Sequence, residues 1–188
     1  MKKRTLIGFL ILLSLPAYLK AQNPVSFFEE HIDFKLDSNF FSVNGIYSFY
    51  NNSSEIVTRL IRFPFAVNRM SVDSIKILNL NSQKLLRYNL MEDAVSFNLT
   101  VLPKDTLDIN IFYRQKTSSK NTYILTTTQI WGNPLDKAVY TLTASKGMAI
   151  NSFSYIPDSV KLVDNNRLYK WEKHHFSPKI DFDIIIGK

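Results

Sequence analysis

Apolar and polar positions alternate along most of this chain, and the alternation has a period of two. Phe41, Val43, Tyr47 and Phe49 recur at every second place, with Ser42, Asn44 and Ser48 between them. That is the signature of a strand with one buried face. Asn51-Asn52-Ser53-Ser54 then forms a polar break of turn-forming residues, and Ile56 to Phe63 is a second β-rich run stopped by Pro64, which removes a ladder donor. Upstream, Phe28, Ile32, Phe34 and Leu36 alternate with Glu29, His31, Asp33 and Lys35, a half-buried strand with a charged outer face. Downstream, Val95, Phe97, Leu99 and Val101 make one clear strand, and Leu107, Ile109, Ile111 and Tyr113 make another. With Pro103-Lys104-Asp105 between them, the two read as an antiparallel hairpin.

The same grammar continues to the end. Val72–Leu80 is β-rich. Lys84–Glu92 is the one place where a helical face, Leu86 with Leu90, competes, but the segment is short and strand is the expectation. Gln115–Asn121 is polar and reads as a mobile loop, Tyr123–Thr128 as a strand, and Trp131-Gly132-Asn133-Pro134 as a break before Ala138–Thr143. Met148–Ile156 follows. Val160–Val163 and Arg167–Trp171 flank Asp164-Asn165-Asn166, residues that tolerate left-handed backbone, and Ile180–Ile186 is a closing strand. Roughly ten to twelve short strands with turn signals about every eight to twelve residues predict an all-β fold, a single antiparallel β-sandwich, immunoglobulin-like or related.

Residues 1–21 stand apart. Lys2, Lys3 and Arg4 precede the apolar run Leu6–Leu15, which Pro16 ends, and Ala21 offers a small residue at a cut. This is the layout of a secretory signal peptide. The run is too short for a membrane span, which takes about 20 apolar residues. The expectation is therefore a signal peptide over 1–21, a single domain over 22–188, and no transmembrane span after cleavage. Export from a bacterium, to the periplasm or beyond the cell, follows. The formal charge of +7 then misleads, because Lys2, Lys3, Arg4 and Lys20 belong to that segment; of 23 basic residues 19 remain, against 16 acids. With no run of four or more Lys or Arg, nucleic acid is not an expected partner. The absence of cysteine excludes disulfides and thiolate chemistry, so an exported domain must rest on its core.

Candidate chemistry is sparse. His174 and His175 would point to opposite faces of a strand, so a metal would need His31 beside an acid such as Asp181 or Asp183; solvated histidines are the simpler expectation. No nucleophile elbow, P-loop or dinucleotide fingerprint is present. Glu29-Glu30, Glu92-Asp93 and Asp181/Asp183 are possible carboxylate pairs, but sequence proximity does not supply the opposed geometry of a hydrolase. No catalytic residue, metal ligand or cofactor site is assigned. The second half is dense in aromatics, among them Tyr123, Trp131, Tyr140, Tyr155, Tyr169 and Trp171. Most are expected to fill the core. Trp131, in a predicted break, and Tyr123 are the expected partner or ligand contacts.

Tyr123 to Thr128, then Trp131, Pro134-Leu135, Ala138 and Tyr140 resemble a pattern of uncharacterised secreted bacterial β-sandwich proteins. Tyr169-x-Trp171 with Phe176-x-Pro178 and Asp181, and Asn51 to Pro64, are similar to other parts of it. The resemblance implies a secreted sandwich and no established activity. The leading expectation is a non-catalytic envelope protein acting as a protein-interaction or structural module. A carbohydrate-binding module using Trp131 and Tyr123 is the second, and a carboxylate hydrolase the third. The partner would be an envelope protein or a polysaccharide. A flat row of exposed aromatics would favour sugar, two carboxylates across a cleft would favour hydrolysis, and an open edge strand would favour a protein partner.

Overall fold

The computed structural model describes residues 23–67 and 71–187; the signal-peptide expectation for 1–21 lies outside the described residues. Among these, the strands are β1 (Val25–Leu36), β2 (Phe40–Asn51), β3 (Val57–Pro64), β4 (Val72–Asn79), β5 (Lys84–Leu85), β6 (Asn89–Leu90) and β7 (Ala94–Val101). They continue with β8 (Thr106–Lys116), β9 (Lys120–Tyr123), β10 (Leu135–Ala144), β11 (Ile150–Phe153), β12 (Ser159–Val163), β13 (Asn166–Phe176) and β14 (Phe182–Ile186). A 3₁₀ helix spans Thr126–Trp131. No helix of the described residues is long and apolar enough to cross a membrane.

One eight-stranded sheet, in the order β12-β13-β10-β1-β2-β8-β4-β5, forms the floor of the molecule. Its central strands carry the alternation seen in the sequence. Ile32, Phe34, Phe41, Val43, Ile109, Ile111 and Leu142 are buried on one face, while His31, Asp33, Asn44 and Ile46 are exposed on the other. Two three-stranded sheets cover the buried face. The sheet β11-β14-β9 lies over β13, β10 and β1, where Phe182 packs against Phe34, Tyr140 and Trp171. The sheet β3-β7-β6 lies over β2 and β8, where Phe63 meets Tyr47 and Tyr113 edge to face. Sheet on sheet, each contributing an apolar face, is the sandwich that the alternation predicts.

Turn chemistry is as the residues require. Asp164 and Asn165 take left-handed backbone, with φ of 47° and 64°, between β12 and β13. The Asn51–Ser54 break is organised from within. The fully buried Asn51 donates through Nδ2 to the carbonyls of Glu55, Val101 and Leu102, and its Oδ1 accepts from the Ser53 amide and hydroxyl.

Six local expectations are corrected. The runs Val95–Val101 and Leu107–Tyr113 do not form a hairpin: β7 pairs with β3 and β6 in a covering sheet and β8 with β2 and β4 in the floor, so the Pro103–Asp105 turn carries the chain from one layer to the other. The pairing of β1 with β10 is parallel, Ile32 opposite Tyr140, in an otherwise antiparallel sheet; the chain reaches β10 only after building β2 to β9 and re-enters in the direction of β1. Phe28 does not share the inward row. The register with β2 shifts between Phe27 and Glu29, a bulge that turns Val25 and Phe27 inward and leaves Phe28 partly exposed. Gln115–Asn121 is not one loop: β8 runs to Lys116 and β9 starts at Lys120, with Gln115 continuing the inward row of β8 and Asn121 buried. The run Tyr123–Thr128 leaves the strand at Tyr123 and turns into the 3₁₀ helix. Lys84–Glu92 supplies only two-residue strands, all four residues exposed.

Candidate functional site

The two covering sheets do not close over the floor completely. Between them, above β1 and β2, lies a partly open cavity of about 270 Å³. Phe27, Glu30, Tyr47 and Phe49 form its floor. One wall is β3 from Arg59 to Pro64; the other is Tyr123 at the end of β9 and the 3₁₀ helix to Trp131. Both β3 and β9 are edge strands of their small sheets, so the cavity is a seam between two edges rather than a hole in a sheet.

At the bottom is a buried acid. After the bulge, β1 sends Glu30, Ile32, Phe34 and Leu36 to the core face, and Glu30 is 1% exposed. It sits opposite Tyr47 of β2. Tyr140 of β10 donates a hydrogen bond to Oε1. Tyr123 approaches Oε2 at 3.4 Å, and the Tyr123 and Tyr47 hydroxyls are 2.9 Å apart. Loss of water around the carboxylate raises its pKa to about 7, although the two tyrosine hydrogen bonds pull the other way. The Tyr47, Tyr123 and Tyr140 hydroxyls are held well above their ordinary range, first by burial and then by the neighbouring Glu30 charge. Gly45 makes room for this cluster. A Cβ there would lie 2.5 Å from the Tyr47 hydroxyl and 2.7 Å from Ile32 Cδ1.

The wall carries a second charge on a core-facing row. Val57, Arg59, Ile61 and Phe63 alternate with the exposed Thr58, Leu60 and Arg62. The Arg59 guanidinium lies 5.2 Å from the Trp131 ring centroid, a cation–π contact. Its Nη1 is buried and meets no hydrogen-bond acceptor among the described residues. Trp131 in turn packs on Phe49 and Phe27, at centroid distances of 5.3 and 6.0 Å.

Asp181 sets the opposite wall. Its Oδ1 accepts from the Leu125 amide at 3.0 Å, the Thr126 amide at 3.0 Å and the Thr126 hydroxyl at 2.8 Å. Three bonds to one oxygen bend the chain out of β9 and start the 3₁₀ helix, overriding the β-branched threonines that suggest a strand. Gln129 donates to the Pro178 carbonyl, and Gly132, at φ 81°, ends the turn with a backbone that other residues rarely adopt.

Trp131 and Tyr123, the expected contacts, therefore line the same cavity from one wall. The carboxylate pairs have other surroundings. Asp181 is the cap just described, and Asp183 accepts from Thr122 at 2.6 Å and pairs with Lys120 at 2.9 Å. His31 is 3.4 Å from Asp33 on the outer face, His174 is 3.4 Å from Glu172, and His175 is exposed. Among the described residues no three His, Cys, Asp or Glu gather as metal ligands. Arg59 is the site residue that sequence reasoning missed, and Glu30 entered it only as half of a Glu29-Glu30 carboxylate pair, not as a buried acid. Their signal was parity: each is a charged residue at a core-facing position of an alternating strand. A wider, more open depression of about 620 Å³ on the outer face of the large sheet includes Arg114, but that cation is already bound to Asp73 at 2.6 Å and lies over Phe40.

No family model and no curated protein matches the chain. Solved structures do. The chain is similar to a Legionella pneumophila protein provisionally described as nutrient binding, with a TM-score of 0.76, 16% identity, and coverage of 88% of this chain and 67% of that one. It is also similar to an M1 zinc metallopeptidase from Deinococcus radiodurans, with a TM-score of 0.51, 11% identity, and coverage of 88% of this chain. There the chain spans only 43% of the peptidase. At these identities the likeness is one of fold.

Proposed function

We propose that this chain is an exported, non-catalytic binding module that takes a small organic molecule into the cavity between its two covering sheets. The observation that carries the reading is the composition of that cavity. It is mostly apolar and aromatic, with a few polar groups converging on it, Glu30 with its tyrosines below and Arg59 at the wall, which is how small-molecule sites are built. The Legionella protein of similar fold and provisional nutrient-binding role supports it. Export rests on the sequence of residues 1–21.

The test is a thermal-shift screen of the full chain against amino acids, organic acids, monosaccharides and nucleosides, followed by calorimetry. A true ligand at a hundredfold excess over its Kd stabilises by about 2.7 kcal/mol, and Trp131→Ala should remove most of that shift. A screen in which no compound moves Tm would sink the reading.

A protein partner is the second reading, and one observation favours it. The outermost strand β12 exposes Val160, Leu162 and Val163, with Leu162 72% accessible, beside an unpaired backbone edge. The second-half aromatics, by contrast, mostly turn inward, which does not favour a polysaccharide platform.

A further inference from the structure

Arg59 offers a donor that the described residues leave unused. Its Nη1 is buried without an acceptor among the described residues, on a row whose other members, Val57, Ile61 and Phe63, are apolar. A buried polar group left unpaired is costly. The other charges lining the cavity are already engaged. Arg62 turns outward to Asp93 at 2.6 Å. Glu30 accepts from Tyr140 and Tyr123, and its raised pKa leaves it largely neutral on the acid side of pH 7. The uncommitted charge of the cavity is therefore positive and sits on Arg59, fixed in orientation over Trp131.

We propose that the cavity's ligand is a small monocarboxylate with an apolar, preferably aromatic, body, its carboxylate paired with Arg59 and its body against Trp131, Phe27 and Phe49. This rests on the small-ligand reading above. A planar carboxylate matches the guanidinium fork. A phosphate monoester carries nearly two charges, which one guanidinium near Glu30 would leave uncompensated in an apolar enclosure. The volume of about 270 Å³ suits a molecule of amino-acid size.

The experiment uses three probes with one body: phenylpropionate, its amide, and phenylpropylamine. Each is titrated into the full chain at neutral pH, by calorimetry and by tryptophan fluorescence. The chain has two tryptophans, and Trp171 is sealed in the core, so a fluorescence change reports Trp131. The expected result is that the carboxylate binds roughly tenfold or more tighter than the amide, with the amine weakest. Arg59→Met should lower carboxylate affinity roughly tenfold or more and so abolish the preference for the carboxylate over the amide. Amide or amine binding that equals or exceeds the carboxylate overturns the proposal and leaves the small-ligand reading intact. If none of the three binds, the proposal falls, and the broader screen then decides the small-ligand reading separately.

Discussion

The two covering sheets treat the same floor differently. Over β13, β10 and β1 the contact is sealed: Phe182, Ile184, Trp171 and Tyr140 are each no more than 1% exposed. Over β2 and β8 the inner strand β7 is just as well buried, but the edge strand β3 is only half-covered along its inward row. One half is a core and the other is a core with a margin. The difference shows how a sandwich acquires a cavity without a bulky insertion. The floor remains continuous, the roof is split, and the two unpaired edges become walls. The charges that a sealed core would reject, Glu30 and Arg59, lie along that split.

The largest test of this contrast is in the sealed half. Trp171→Ala should cost about 3–5 kcal/mol in urea denaturation, because Trp171 packs on Phe153, Tyr169 and Phe182 and its indole donates to the Tyr155 carbonyl at 2.9 Å. Trp131→Ala, at the margin, should cost less than half as much; equal losses would erase the distinction.

Next is the pH dependence of stability. Glu30 has a folded pKa of about 7 and a reference value of 4.5. The native state therefore holds a proton that the unfolded chain releases across that window. Its contribution to stability is fully present below pH 4.5 and is lost as pH rises through about 7, on the order of 3 kcal/mol in total. Denaturation midpoints of Glu30→Gln should lack this slope. A slope that persists in the variant would remove Glu30 as its source.

Asn51→Ala should cost about 2–3 kcal/mol, since it strands the carbonyls of Val101 and Leu102 at the end of the β3–β7 cover. The smallest effect should come from Arg59→Met, which keeps apo stability within about 0.5 kcal/mol or raises it. A loss as large as that of Asn51→Ala would mean that Arg59 holds the wall together rather than awaiting a ligand.

The alternation made the large sheet legible. Phe41, Val43, Tyr47 and Phe49 lie where a period of two places them, and the Asp164–Asn166 turn carries the left-handed backbone that its residues permit. The site was less legible because each of its parts depends on something non-local. The 3₁₀ helix that positions Trp131 exists because Asp181, 55 residues from Thr126, captures two amides. The bulge at Phe28 that brings Phe27 to the cavity is a pairing event, visible only against β2. Glu30 stands in the sequence as half of a carboxylate pair with Glu29, and only the phase of Ile32, Phe34 and Leu36, extended back to it, separates the two. Arg59 likewise interrupts Val57, Ile61 and Phe63, and a charged side chain breaking phase in this way was the readable clue to the seam.

The parallel pairing of β1 with β10 also has a kinetic side. The hydrogen bond from Tyr140 to Glu30 joins residues 110 positions apart, and that from Tyr123 spans 93. Contacts of such long range are slow to form, because closing the loop costs entropy before the contact is gained. The β1–β2–β8 meander needs only the first two-thirds of the chain, whereas the helix wall waits for Asp181, close to the C-terminus. The order of folding that follows puts the β1–β2–β8 part of the floor first and the cavity last.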